Sequence, residues 1–458
     1  MTSEKPKDFR VQRPASCVPD FPTVSFATLG CKTNQFESAA MQEQLTRAGY
    51  PVVSFAEGAD LVVINTCTVT AATDAQSRSL VRRARRLKPD CRVIVTGCYA
   101  QVDPQTFAAM PGVGLVVGNE EKKKLLEYLE EEVNGSRVAV ADVRLAETAC
   151  LPLLTGFGER SRAFVQIQNG CDAFCSYCII PYARGSSRSA TPDEVVRQVQ
   201  RLVEAGYPEV VLTGIHIGGY GNDLSPATSL LDLVRRIEGE TALQRLRLGS
   251  VEPTEIPAAL LEVVAASAIL CPHFHIPLQS GDDAVLQRMG RDYDRRFFGD
   301  LIRRIHERVP DAAIGLDVIT GFPGETGQAF ANTLTLIEEL PVSHLHVFPF
   351  SRRPGTPAAT MPDQVPGDVS KARAARLRQL GTAKQRRFAE KFVGRTLDVV
   401  VEGGGSGGHL KGMSRHYLEV VFDGPADLAG TCRDVRIDGW SDGRLVGTDG
   451  LAGDAEHC

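Results

Sequence analysis

Three cysteines, Cys171, Cys175 and Cys178, fall within eight residues in the stretch NGCDAFCSYCIIP. Three thiols so closely spaced in a chain without secretory features point to metal binding rather than to disulfides. Zinc would need a fourth Cys or His. The nearest plausible partner, His216, is remote in sequence. An iron–sulfur cluster better suits three thiolates on a short loop after a strand. A cubane cluster held by three cysteines leaves one iron open, and an open coordination position marks a site that binds substrate.

A second set, Cys31, Cys67 and Cys98, is dispersed. Each ends an apolar run that reads as a strand: VSFATLGC, LVVINTC and RVIVTGC. Helical patterns alternate with these runs, FESAAMQEQLTRAGY among them, and AQSRSLVRRARRLKPD is stopped by Pro89. Strands apolar on both sides and alternating with helices imply a parallel sheet, here a doubly wound α/β domain over 21–143. Loops at the carboxyl ends of such strands converge on one crevice. The three thiols are therefore expected to hold a second cluster, the alternative being three inert cysteines at strand ends. Cys91, Cys271 and Cys432 read as packing residues; Cys17, Cys150 and Cys458 lie in segments read as flexible.

After a linker, 144–160, the alternation resumes with about six βα units over 161–388, an incomplete (β/α)6 barrel. Residues at strand C-termini face the active end of such barrels. That places Ser250 and Glu252 (GSVEP) and Gln279 and Ser280 (HIPLQSGDD) as lining candidates, with loop capping as their alternative. His273 and His275 alternate within one strand, and one of them is expected to be buried and hydrogen-bonded. Arg184 and Arg188, just after the cysteine cluster, would meet anionic groups or solvent. Residues 389–450 read as a small antiparallel β-barrel, and 1–20 and 451–458 as disordered tails.

Residues 371–395 carry nine Lys or Arg against one acid, Glu390. Lys371, Arg373, Arg378, Lys384, Arg386, Arg387 and Arg395 are therefore candidate phosphate contacts, a solvated face being the alternative. The net charge of −5 over 458 residues means that any basic footprint is local. No apolar run approaches the roughly 20 residues needed to span a bilayer, and the N-terminus has no apolar signal segment. A cytoplasmic protein without a membrane partner is expected.

The C-x3-C-x2-C motif with an aromatic, Tyr177, before its last cysteine resembles the radical S-adenosylmethionine superfamily. TLGCKTNQFES, NTCTVT and TGCYAQ, with the order of the three parts over roughly 22–447, resemble its methylthiotransferases. In that family the small C-terminal barrel is an RNA-binding module called TRAM. The resemblance implies two 4Fe–4S clusters, on Cys31/Cys67/Cys98 and Cys171/Cys175/Cys178, and S-adenosylmethionine, with Tyr177 against the adenine. It also implies a glycine loop, GFPGET, whose Gly321 and Gly324 would face a ligand, a bare tight turn being the other reading. LGCKTNQFESAAM is most similar to the subgroup that methylthiolates C2 of N6-threonylcarbamoyladenosine at tRNA position 37. Isopentenyladenosine in tRNA and ribosomal protein S12 are the alternative substrates. An iron–sulfur RNA-binding or electron-transfer protein is the non-enzyme alternative. Implied partners are a tRNA anticodon stem-loop, an electron donor such as flavodoxin or ferredoxin, and a sulfur source.

Overall fold

The computed structural model describes residues 21–130, 135–146, 149, 152–158, 160–404 and 409–450. The expected tails, part of the 144–160 linker, and Cys17, Cys150 and Cys458 lie outside these. Five parallel strands, β1 (Val24–Thr28), β2 (Leu61–Thr66), β3 (Arg92–Gly97), β4 (Val113–Val117) and β5 (Arg137–Ala139), stand side by side in that order. A parallel bridge between Val24 and Val52 extends the sheet on the far side of β1. The chain thus leaves β1 one way and continues through β2 the other way, which is a doubly wound arrangement with its switch beside β1.

β2 is buried along its whole length, as a strand covered on both faces must be. Met41 and Leu45 of α1 (Lys32–Arg47) cover one face. Val81 and Ala84 of α2 (Ala71–Leu87) cover the other. Reciprocal capping by Thr70 and Thr73 starts α2, and Lys88 ends it in the extended backbone that a following proline favours.

Six further parallel strands form an incomplete barrel in two runs. Arg162–Gln166, Glu209–Thr213 and Arg245–Leu248 make one. His273–Gln279, Ala313–Thr320 and His344–Pro349 make the other. Single bridges, Leu246 to Leu270 and Ser250 to His275, join them. The helix α1 packs beside the first barrel strand and puts Phe36 into the barrel's own core. The basic stretch forms the helix Gly367–Glu390, which packs on the last barrel strand.

Five C-terminal strands between Thr396 and Asp449 close into a barrel. Its contacts are antiparallel except between Glu419–Asp423 and Arg444–Asp449. A closed ring with an odd number of strands cannot alternate direction throughout, so one parallel contact is required.

The two barrels meet at a buried ionic foot. Glu209, Arg245 and Arg247 are each fully buried. Glu209 lies 2.7 Å from Arg245 and 2.8 Å from Arg247, with Arg162 at 3.6 Å. The remaining N–H groups of Arg247 donate to the carbonyls of Ser414 and Arg415, and Arg245 donates to Met413. Sequence reading did not find this foot, because its partners sit in strands far apart in the chain.

Burial alone would raise the Glu209 carboxyl, but Arg247 and Arg245 outweigh it and hold it down at about 2. Its stabilising contribution is therefore complete above the ordinary glutamate range and is lost as pH falls toward 2. Glu209→Gln should cost ~3–5 kcal/mol by leaving buried guanidinium groups unpaired. Thermal unfolding at neutral pH checks this, and the stability gap between wild type and variant should narrow as the pH is lowered from 4.5 toward 2.

Candidate cluster sites and the cavity between them

Each dispersed cysteine follows its strand directly or within three residues, and two of them follow a glycine. Gly97, before Cys98, has φ +93°, and a Cβ there would lie 2.4 Å from the Thr66 carbonyl oxygen. Gly30, before Cys31, stands against Cys67 itself, whose Cβ would lie 2.8 Å from an added Cβ. The barrel set repeats the device: Gly170 precedes Cys171 with φ +78°, 1.8 Å from the Ser186 carbonyl by the same measure. A side chain at any of these positions would push a cysteine loop away from its neighbours.

Asn34 ties the N-terminal loops together. Its amide donates to the Leu29 carbonyl at 2.7 Å and to the Thr66 carbonyl at 3.0 Å. Burial, reinforced by Cys98, raises the Cys67 thiol to about 12, and burial raises Cys178 to about 12. Both are protonated thiols until a metal displaces the proton. Among the described residues neither set brings its three sulfurs within 4.8 Å of one another. His216 also comes near, its Nδ1 3.8 Å from Cys171 Sγ and its Nε2 2.8 Å from Glu255. Three thiols on glycine-cradled loops at each site fit the ligand set of an iron–sulfur cluster with one iron left open.

Neither Arg184 nor Arg188 meets solvent; both are buried. Arg184 crosses from the barrel to the first domain. It donates to Cys98 Sγ at 3.2 Å, to Glu37 at 2.6 Å, and to Asn34 and Asn169. Glu37 also receives Lys122 at 2.7 Å, and Arg188 pairs with Glu120 at 3.1 Å. On the other flank Arg353 donates to Thr68 at 2.7 Å and pairs with Asp74.

These clasps hold the Cys67 loop over the barrel mouth and enclose a cavity of about 250 Å³. Val69 and Thr70 come from the Cys67 loop; Tyr177 and Cys178 come from the barrel cluster loop; Gln279 and Phe350 come from barrel strand ends, and Asp317 from within its strand. A larger cavity of about 790 Å³ beside α1 is mainly apolar and touches no cysteine.

The candidate lining residues divide. Tyr177 lies on the cavity wall, edge-on to Phe322, with burial raising its hydroxyl well above the usual range. Gln279 lines the cavity at a strand irregularity and takes φ +60°, a strained position of the kind that collects at functional sites. Glu252 pairs with Arg291, which donates to Cys175 Sγ at 3.3 Å. Ser250 is exposed beside His275. Ser280 is different: it is buried, 3.4 Å from the Thr333 hydroxyl, and accepts from the Asp282 N–H at 3.3 Å. It fastens its loop. Gly321 and Gly324 are pressed against Ser370 and Arg288, so protein contacts explain both glycines without a ligand.

The basic residues divide as well. Arg373 and Arg378 donate to the carbonyls of Glu325 and Val347, and Lys384 to those of Glu338 and Leu340. Arg386 pairs with Glu390 and Arg395 with Asp311, each at 2.8 Å. Lys371 and Arg387 stay exposed without such a partner. Sequence reasoning missed Phe174, which is 56% exposed on the cluster loop and packs edge-on against Tyr182, itself 45% exposed.

The two strand histidines reverse the expectation. His273 is buried, yet neither ring nitrogen has a partner. His275, less buried, bonds Asp317 at 2.9 Å, and His346 reaches the other Asp317 oxygen at 3.3 Å.

An incomplete barrel with three cysteines on its first βα loop is the radical S-adenosylmethionine architecture, and residues 165–337 match the model of that superfamily. Residues 23–118 match a family described only as uncharacterized protein family UPF0004. The threonylcarbamoyladenosine tRNA methylthiotransferase MtaB of Bacillus subtilis is 42% identical over 91% of this chain and 93% of its own. The MtaB of Rickettsia prowazekii is 40% identical over 82% and 86%. The tRNA-2-methylthio-N(6)-dimethylallyladenosine synthase of Desulfitobacterium hafniense is 33% identical over 89% and 93%. The chain belongs to the radical S-adenosylmethionine tRNA methylthiotransferase family. Among solved structures, the radical S-adenosylmethionine methyltransferase TsrM of Kitasatospora setae shares the fold at 19% identity, with a TM-score of 0.52 over 74% of this chain and 75% of that one.

The glycine contacts make a direct test. Gly97→Ala should lower cluster iron toward the level of Cys98→Ala, because the new Cβ meets backbone on β2. Gly206→Ala, also at positive φ but with nothing within 4 Å, should keep wild-type iron. Iron per chain after anaerobic reconstitution is the measurement.

Proposed function

We propose that this chain replaces the C2 hydrogen of N6-threonylcarbamoyladenosine at position 37 of tRNA with a methylthio group. It would use S-adenosylmethionine and two 4Fe–4S clusters, on Cys31/Cys67/Cys98 and Cys171/Cys175/Cys178. The observation that carries this reading is the cavity bounded by both cysteine loops, Val69 and Thr70 on one side and Tyr177 and Cys178 on the other. When bound, S-adenosylmethionine and the clusters supply the radical, the sulfur and the methyl group.

The chain's own residues bind, orient and enclose. Arg184 and Arg291 direct N–H groups at Cys98 and Cys175, which stabilises negative charge on those sulfurs. Tyr177, Phe350 and Ile319 give the cavity an apolar wall that excludes water. Gln279 offers an amide there. The C2 hydrogen is not acidic, so no side-chain base is required.

The target base must leave its stack to enter this cavity. Phe174 and Tyr182, exposed on the cluster loop and the helix that follows it, suit stacking with neighbouring bases. Lys371, Arg376 and Arg387 are exposed on the basic helix with no ion pair or hydrogen bond among the described residues, and suit phosphate contact. An electron donor of the flavodoxin or ferredoxin type and a sulfur source complete the system. The reading places the protein in the cytoplasm with its tRNA; no helix among the described residues is long and apolar enough to cross a membrane.

Mass spectrometry of tRNA nucleosides from a deletion strain tests the reaction. The 2-methylthio form should vanish while N6-threonylcarbamoyladenosine accumulates. Loss of a 2-methylthio isopentenyl nucleoside instead would transfer the assignment to that substrate, and an unchanged profile would overturn both. Cys67→Ala and Cys178→Ala should each lose roughly half of the bound iron, and Cys178→Ala should abolish anaerobic release of 5′-deoxyadenosine.

A further inference from the structure

Asp317 has two neighbours that chemistry at C2 does not call on. It lies within the strand Ala313–Thr320, opposite His346 in register, and lines the cavity. His275 stands on the strand at the other side, opposite Gly315. Side chains two apart on a strand share a face. Phe348, two residues beyond His346, lines the same cavity, so His346 shares the cavity's face.

His275 Nε2 lies 2.9 Å from one Asp317 oxygen, and His346 Nδ1 lies 3.3 Å from the other. One donor atom from each of the three residues falls within 4.8 Å of the other two. Among the described residues no other three His, Cys, Asp or Glu donors come this close. Such separations are those of neighbouring ligands on one metal ion. Two donors each about 2.0–2.1 Å from an ion stand about 2.8–3.0 Å apart at a right angle and about 3.3–3.4 Å apart at the tetrahedral angle.

Charge points the same way. Both ion-pair partners of Asp317 among the described residues are imidazoles, and no lysine or arginine pairs with it. An imidazole is a cation only when protonated. With neutral rings, this partly buried carboxylate keeps a charge without an opposite one, which is costly. His344 stands beside the group, its ring 5.4 Å from that of His346. It occupies the space over Gly315, where an added Cβ would lie 2.1 Å from its Nε2. That nitrogen is buried and has no partner, a second mark of a missing polar atom on this face.

We propose that His275, Asp317 and His346 bind a divalent first-row transition-metal ion, of the zinc or ferrous class, in a mononuclear site on the cavity wall. The site uses none of the six cluster cysteines. Two imidazoles and one carboxylate suit such ions, whereas magnesium and calcium prefer shells of oxygen alone. Three protein ligands leave coordination positions open. With Asp317 on the lining, water or an oxygen of the cavity's occupant can take them. The proposal goes beyond the reaction proposed above and does not depend on which base is modified.

The test uses holoenzyme reconstituted with its clusters and then equilibrated anaerobically with zinc alone. Wild type should take up about one zinc per chain with its iron unchanged. Zinc X-ray absorption should show nitrogen and oxygen at about 2.0–2.1 Å and no sulfur at about 2.3 Å. His346→Phe and Asp317→Asn should each weaken zinc binding at least ~100-fold, more than loss of an outer-shell partner costs, and keep their iron. His409→Gln, at an exposed His–Asp pair without a third donor, should keep wild-type zinc. No zinc on the wild type, sulfur in its zinc shell, or undiminished zinc on His346→Phe would each overturn the proposal. Should a variant lose iron through misfolding, the wild-type shell decides: nitrogen and oxygen support the site, and sulfur overturns it.

Discussion

One guanidinium fixes how the two cysteine sets stand relative to each other. Arginine has five N–H donors in a rigid plane, and every nitrogen of Arg184 is engaged: Nε by Cys98, Nη1 by Glu37 and Asn169, and Nη2 by Asn34 and Glu37. It grows from the end of the short helix Ile180–Arg184 that follows Cys178 and ends on the sulfur of Cys98. The planar fork permits little sliding, so the loops on either side of the cavity keep one separation. A lysine could supply the charge but not this geometry.

How much was legible follows from how local each signal is. The barrel cysteines are readable because their spacing lies within one loop. The dispersed cysteines are readable only through topology, since parallel strands bring their carboxyl ends together. Arg184 stood out as a charged residue near the cluster, yet its partner Glu37 lies 147 residues away. Nothing in the local pattern separates such a buried clasp from a solvated arginine. The glycines before Cys31, Cys98 and Cys171 were a readable signal that went unused: a Gly-Cys pair recurring at three of six candidate ligands points to crowded backbone.

Elsewhere the same residue types resolved differently because packing, not sequence, decides where a side chain ends. Of the basic helix, Arg373, Arg378 and Lys384 cap carbonyls of the barrel beneath them. Periodicity placed that helix correctly, but a run of one sign of charge does not say which members face inward. Ser280 and Gln279 are neighbours, yet Ser280, just past the strand, pins its loop while Gln279, the strand's last residue, faces the cavity.

The ionic foot also sets a distance between the two barrels' working ends. Glu209 and Arg245 sit at the starts of their strands, and the C-terminal barrel is fastened there by Arg245 and Arg247. The cavity opens at the opposite ends of the same set of strands. Strands of this length span roughly 15–25 Å, so the small barrel is held about that far from the cavity mouth. The foot therefore works as a spacer: it fixes a length between a surface on one barrel and an opening on the other. Loosening the foot would blur that distance before it altered any atom near the cysteines.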